Sequence, residues 1–338
     1  MHTTALKLID SDLPEKWQEI LSDLITDPKE LLQFLELDET KLALGSDALD
    51  QFSLKVPRPF ARRMRKGDWN DPLLRQVWPD LLEELSGPGN SFDPLSERDF
   101  NPIQGLLHKY HGRALLTVAP HCAVHCRYCF RRHFNYGDNS PSREEWGNVL
   151  KYLAEDASIE EAIFSGGDPL ALSDRQLAWL IDQVSGISHI STLRIHTRLP
   201  IVIPQRVTDK LIQILTESRL KVVIVVHCNH SQELDKETKA GLSTLAANSI
   251  IMLNQSVILK EVNDTSQILI ELSRALFSCD VLPYYLHLPD RVSGTAHFQV
   301  SKSHALEVLG GVRRRLPGYL VPTLVQEEAG NSSKTRLG

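Results

Sequence analysis

The chain is short of several things, and each shortage excludes a class. No stretch of its 338 residues approaches the roughly 20 continuous apolar residues that span a bilayer. Met1 to Lys7 contain no basic segment leading into a long apolar one, so no secretion leader is read there. Positive charge is not in excess: a net charge of −6 argues against a general nucleic-acid-binding surface. Cysteine is scarce, five in all, and three of them are clustered. That is no disulfide framework; in a cytoplasmic protein a thiol cluster points to metal or redox chemistry. What is present is 42% apolar residues, ample for a buried core in one large or two smaller domains. We expect a cytoplasmic enzyme with neither a membrane nor a nucleic acid as partner.

Residues 1–100 read as a helical region. Trp17, Ile20, Leu21 and Leu24 recur at i, i+3, i+4 and i+7, one face of a helix. Asp27 followed by Pro28 reads as an N-cap with proline in the first turn, opening a helix through Leu31, Leu32 and Leu35. Arg58, Arg62, Arg63, Arg65 and Lys66 form a basic run on a helix, read as a solvated face or, more sharply, as a docking surface for an acidic macromolecule. Ser86 to Ser91, rich in Pro, Gly and Ser, marks a boundary.

From Ala114 onward, short apolar runs alternate with amphipathic helices. Strands are expected at Ala114–Ala119, Glu161–Phe164, Thr192–Ile195, Lys221–Val226, Ile250–Ile258 and Val281–Leu286. Between them Ser142 with Glu145 forms a capping box, and Ser173 and Thr208 stand as caps. Leu242 with Leu245, and Leu269, Leu272 and Leu276, mark two further helices. A run of βα units implies parallel strands joined by right-handed crossovers. The first βα turn is a cysteine loop and not a glycine-rich phosphate loop, which weakens the open-sheet alternative. The polar residues gather where the mouth of a barrel lies, at or near the strands' C-terminal ends. They are the cysteines, then Gly166, Gly167 and Asp168, then His196, His227 and Asn229, then Asn254 and Gln255, and last His287 and Asp290. The expected fold is α/β, a partial (β/α)6 TIM-like barrel over residues 101–326. The helical region precedes it, and a C-terminal segment, 327–338, follows.

The organising stretch is Cys122-Ala123-Val124-His125-Cys126-Arg127-Tyr128-Cys129, spaced C-x3-C-x2-C after the first strand. Three thiolates on one loop can hold three irons of a [4Fe–4S] cluster and leave the fourth open. A zinc knuckle using His121, His125 or His133 is the alternative, but structural zinc takes four protein ligands. Cys228 and Cys279 have no paired spacing and read as buried small hydrophobes.

With Tyr128 one position before its last cysteine, this loop resembles the signature of the radical S-adenosylmethionine superfamily. Ser165-Gly166-Gly167-Asp168-Pro169 is similar to that superfamily's Gly-Gly-acidic element, which contacts the amino group of S-adenosylmethionine. The likeness narrows to lysine 2,3-aminomutases through Cys129 to His133, Ser165 to Leu170, Asn254 to Val257, Pro283 to His287, Gly318 to Pro322 and Ser333 to Thr335. Val56 to Phe60 and Asp71 to Val77 resemble the short bacterial branch, which supplies β-lysine for elongation factor P. The absence of a longer extension after Lys334 points to the same branch.

The resemblance implies three cofactors: a [4Fe–4S] cluster on Cys122, Cys126 and Cys129, S-adenosylmethionine, and pyridoxal 5′-phosphate with Lys334 as its Schiff-base lysine. It implies S-adenosylmethionine contacts at Ser165, Gly166, Gly167, Asp168, His227 and Gln255, and a place for Lys109 near the coenzyme phosphate. Arg131 matches the arginine that takes the substrate carboxylate, and a planar guanidinium suits that capture. Asp290 matches an acid holding the ε-ammonium of lysine. Glu327 stands where the family has a second aspartate, keeping the charge and lengthening the reach. The implied partners are lysine, an electron donor, and elongation factor P with its lysyl-transferring enzyme. Two other readings are carried: the same radical chemistry on arginine or glutamate, or a non-catalytic iron–sulfur or zinc protein. Asp290 and Glu327 argue against glutamate, whose second carboxylate would meet like charge.

Overall fold

The computed structural model describes residues 17–39, 44–85, 87, 89–134, 139 and 141–338. Met1 to Lys7 therefore lie outside the described residues, as do Ser86 and Pro88 of the expected boundary. The helical region is built from short pieces: α1 (Trp17–Ser22), α2 (Pro28–Phe34), α3 (Ser46–Gln51), α4 (Arg58–Ala61) and α5 (Pro72–Arg75). The Asp27 cap is present, with its carboxylate accepting from the Lys29 N–H at 2.9 Å. These pieces do not form a core of their own. Trp17, Ile20, Leu31, Phe60 and Trp78 belong to the same buried apolar cluster as Leu116, Phe164, Ile195 and Ile224 of the sheet.

The basic run is a solvated face only in part: Arg62, Arg65 and Lys66 are exposed, whereas Arg63 is not. Arg58 pairs with Asp23 and Glu30, and Lys66 with Glu36. Arg63 turns inward, donating to the Ile201 carbonyl at 2.7 Å, to Thr238 at 3.1 Å and to the Glu233 carbonyl. A guanidinium has five donors, and here they tie the helical region to the barrel.

The sheet runs in chain order, β1 (Leu106–Tyr110), β2 (Arg113–Ala119), β3 (Glu161–Gly166), β4 (Thr192–Thr197), β5 (Lys221–Val226), β6 (Ile251–Val257), β7 (Leu282–His287), β8 (Thr323–Gln326) and β9 (Thr335–Arg336). Strands β2 to β8 are parallel; β1 and β9 add antiparallel edges. The crossovers carry α6 (Glu145–Glu155), α7 (Asp174–Ser185), α8 (Leu199–Val202) with α9 (Asp209–Thr216), α10 (Lys236–Ala247), α11 (Ser266–Phe277) and α12 (Lys302–Arg313). Ser142 and Glu145 exchange their capping bonds, and Ser173 and Thr208 cap α7 and α9.

Curvature follows from one contact. Seven strand spacings separate β1 from β8, about 34 Å in a flat sheet. Yet Lys109 on β1 donates to Glu327, one residue past β8, at 3.1 Å. The sheet therefore curls into the expected partial barrel. Alternation along each strand then divides the side chains. Leu193 and Ile195 of β4 and Leu286 of β7 pack among the helices, whereas Arg194, His196, Tyr285 and His287 take the opposite face.

The six expected strands correspond to β2–β7. Strands β1, β8 and β9 and helix α12 are additions. Gly310 and Gly311 obscure the helical stripe of α12, but a Cβ on Gly311 would lie 2.1 Å from the Ser266 hydroxyl. Glycine there lets α11 and α12 pack closely around a second cluster of Ile258, Leu286, Leu309 and Leu324.

Candidate functional site

The cysteine loop begins where β2 ends and is held from two sides. On one side, Gly166 and Gly167 bring the turn after β3 against it. Gly166 has φ +109°, and a Cβ there would come within 2.8 Å of the Ala119 carbonyl. A Cβ on Gly167 would lie 2.3 Å from the His121 carbonyl oxygen. Gly167 and Asp168 donate their N–H groups to Ala119 and His121 at 2.8 and 2.9 Å. The close approach these glycines permit is thus to the cysteine loop's own backbone. Asp168 is buried, and its oxygens accept from Thr197 Oγ1 at 2.6 Å and from the N–H groups of Leu170, Arg198 and Leu199 at 2.7–3.0 Å. Its carboxylate locks the turn to the end of β4.

On the other side stands the helical region. Arg127 is fully buried and forks onto Glu83 at 2.7 and 2.6 Å, and Arg132 reaches the same carboxylate at 2.6 Å. The Arg127 N–H donates to the Gln76 carbonyl and the His125 N–H to the Lys55 carbonyl. The His125 ring stacks on Phe52, its Nδ1 2.8 Å from the Ser53 carbonyl, and burial depresses it to about 4. His133 Nε2 lies 3.0 Å from the Ser293 carbonyl. These histidines are spent on packing and backbone contacts.

Cys122, Cys126 and Cys129 are half-buried free thiols. Burial, then Asp168 and the other two sulfurs, pushes the Cys122 thiol well up; burial and Cys126 push Cys129 up to about 12. Thiols held against ionisation in this way, Cys122 and Cys129, suit a group that brings positive charge to them. Among the described residues, no three His, Cys, Asp or Glu side chains are gathered closely enough to ligate a single ion. A four-iron cluster, bound at three separate corners, needs no such gathering, whereas a zinc knuckle does. Arg198 is buried against this loop: its Nη1 donates to the Cys126 sulfur at 2.7 Å and its Nη2 to Gln76 and Glu233 at 2.7 and 3.0 Å. Cys228 and Cys279 are buried apolar packing, as expected.

The barrel mouth collects the remaining charges. Arg131 donates through Nε and Nη2 to Glu97 at 2.8 and 2.6 Å, and through Nη1 to Ser165 Oγ at 3.2 Å. Glu327 accepts from Lys109 at 3.1 Å, from the Tyr110 hydroxyl at 2.8 Å and from the Lys334 ammonium. Lys334 and Lys109 hold the Glu327 carboxyl down to about 2 against its burial. Asp290 carries no side-chain hydrogen bond among the described residues; burial and the Glu327 charge push it up to about 7, against Lys334 and Lys109.

Three neutral imidazoles complete the mouth. His196, His227 and His287 end or follow β4, β5 and β7, and the Nε2 of each is buried without a partner among the described residues. Burial, reinforced by nearby cations including Lys334, lowers all three, His227 to about 4. The His196 and His227 rings meet edge-on at 5.9 Å. Buried polar atoms normally find partners. Orphaned nitrogens beside Lys334 fit a polar cofactor filling the mouth. Gln255, half-buried on β6, pairs in register with Tyr285 on that same side.

The residues expected to bind iron, cofactor or substrate are placed on this loop, the adjoining turn or the mouth; Asn254, expected at the mouth beside Gln255, instead faces the helix side and bonds the Cys228 backbone and Ser256. Sequence reading missed Glu97, Glu83, Tyr110, Gln76, Arg198 and Glu233. Arg198, just past the third expected strand, and Tyr110, beside Lys109, carried a positional signal; Glu97 and Glu83 carried none.

Residues 116–233 match the model of the radical SAM superfamily. An L-lysine 2,3-aminomutase of Escherichia coli K12 is 48% identical over 324 residues, 96% of this chain and 94% of that one. One from Haemophilus influenzae is 46% identical, covering 95% of each chain. One from Buchnera aphidicola is 42% identical, covering 97% of each.

Proposed function

The chain belongs to the L-lysine 2,3-aminomutase family and is an isomerase, and on that premise we propose that it converts L-α-lysine into β-lysine by moving the amino group from C2 to C3. Its cofactors are a [4Fe–4S] cluster, S-adenosylmethionine and pyridoxal phosphate. Bound together they supply hydrogen-atom abstraction at C3 and an electron-delocalising carbonyl for the migrating amine. Cys122, Cys126 and Cys129 would hold three irons. Ser165, Gly166, Gly167, His227 and Gln255 would line the S-adenosylmethionine site, with Asp168 fixing the turn that carries them. Lys334 would hold the pyridoxal carbonyl, and Lys109 would face its phosphate.

The observation that best supports lysine as substrate is the division of charge across the mouth. Arg131 lies on the cysteine-loop side, and Asp290 and Glu327 lie near Lys334. A cation suits the α-carboxylate, and two acids suit the ε-ammonium. Asp290 ionises near neutral pH, where an arriving ammonium provides its missing counter-charge. The imidazoles stay uncharged and so do not repel that ammonium.

Anaerobic incubation of reconstituted enzyme with lysine, S-adenosylmethionine, pyridoxal phosphate and dithionite should yield β-lysine. No conversion with an intact cluster would overturn the proposal. We read the product as destined for elongation factor P through a lysyl-transferring enzyme, on the strength of the Val56–Phe60 and Asp71–Val77 segments. Deleting the gene should then remove β-lysine from acid hydrolysates of elongation factor P, read by chromatography because α- and β-lysine have the same mass; β-lysine still present rejects that destination. Dithionite stands in for a cellular electron donor.

A further inference from the structure

Arg131 is not an isolated cation awaiting a ligand. Glu97 runs along one edge of its guanidinium with two bonds, at 2.8 and 2.6 Å, and both side chains are almost wholly buried. Ser165 Oγ accepts from Nη1, and the rings of Phe130 and Phe134 lie 4.9 and 5.8 Å from the guanidinium carbon. Glu97 opens a short 3-10 turn (Glu97–Phe100) ahead of β1, and its own N–H is tied to the Asp93 carboxylate at 3.0 Å.

Desolvating such a pair is costly, and a buried ion pair is weak grounds for stability. Its specific effect is geometric. Arginine's long stem is flexible, whereas its planar fork reads a carboxylate only when held in the right plane. A side-on carboxylate sets both the plane and the heading of the fork, and Ser165 ties that heading to the turn after β3. We propose that Glu97 is a positioning residue for substrate recognition, orienting Arg131 to capture the α-carboxylate of the amino acid. The proposal rests on Arg131 being the carboxylate anchor.

Two probes separate these ideas in enzyme loaded with cluster and pyridoxal phosphate. 6-Aminohexanoate is lysine without its α-amine; pentylamine lacks the carboxylate as well. Calorimetry gives the ratio of their dissociation constants. Glu97→Gln should cut the preference for 6-aminohexanoate about tenfold, as expected for loss of one oriented charge-assisted contact, and leave pentylamine binding unchanged. Glu97→Asp, which keeps the charge, should lose less of the preference and carries the test if the glutamine variant does not fold. An unchanged preference, an equal weakening of both probes, or tighter 6-aminohexanoate binding overturns the proposal, the last because Glu97 would then be a competitor. Arg131→Lys serves as the reference. If it too keeps the preference, the anchor itself is misassigned; if it alone loses the preference, only the role of Glu97 fails.

Discussion

Glu327 and Lys334 face each other across the last two strands. The register pairs Val325 with Arg336 and Gln326 with Thr335, so residues 327 and 334 form the next rung, where the ammonium donates to the carboxylate. A two-residue strand thereby delivers a lysine from the chain's far end to the mouth of a barrel whose cysteine loop lies about 200 residues earlier.

That placement makes the Schiff-base assignment testable. Lys334→Ala should bind cluster and S-adenosylmethionine but lose the visible absorbance of pyridoxal phosphate joined to a lysine. Borohydride reduction followed by peptide mass mapping should label Lys334 alone in the wild type. A label on Lys109 would reassign the coenzyme lysine.

Asp290 predicts a pH dependence. Its carboxyl, raised to about 7, is mostly neutral below that pH, whereas the ε-ammonium favours the charged form. Affinity for 6-aminohexanoate should therefore rise with pH through about 7 and level off above it, and Asp290→Asn should flatten the curve. Stability runs the other way. Between the ordinary 3.8 and about 7 the folded protein holds a proton the unfolded chain has released, so this group's contribution falls as pH rises through that window. Asp290→Asn should remove that slope from a series of unfolding midpoints.

Gly167→Ala tests the contact between the two loops. Its methyl would meet the His121 carbonyl carbon and nitrogen at 2.5 and 2.7 Å, backbone atoms that cannot step aside like a flexible side chain. A loss of about 1–3 kcal/mol in unfolding free energy is expected, with fewer irons bound per chain after reconstitution. Normal iron content would show that the loops tolerate separation.

Glu83→Gln preserves shape and removes the anion that Arg127 and Arg132 share. Leaving two buried guanidiniums without it should cost about 3–5 kcal/mol, measurable as a lower denaturation midpoint. A near-neutral effect would show that carbonyls such as that of Phe52, which also accepts from Arg127, suffice for those cations.

The sequence rendered the barrel legible wherever regular periodicity met capping chemistry. Ser173, Thr208 and Asp27 cap as their side chains predict, and β2–β7 fall on the alternating apolar runs. The mouth was legible because strand ends in such a barrel share one site, which gathers His196, His227 and Asp290 from distant positions. Long-range pairing was not legible. Glu97 finds Arg131 34 residues away and Glu83 finds Arg127 44 residues away, with no local pattern to announce either. Arg63 misled for the same reason: a basic run looks solvent-facing until the carbonyls that receive it are folded into place. Strands β8 and β9 are too short to show a period, and the glycines of the turn after β3 serve the neighbouring backbone, which spacing alone does not reveal.

Arg198 carries one more consequence, in electrical terms. Its guanidinium donates directly to the Cys126 sulfur and is anchored behind by Gln76 and Glu233. Cys126 is one of the three sulfurs proposed to hold the cluster, and a fixed positive charge at this distance would favour the more electron-rich oxidation state and move the reduction potential upward. A milder donor could then charge the cluster, while each electron held there would have less driving force to pass on. The side chain that braces the loop would thus also help set the voltage at which it operates.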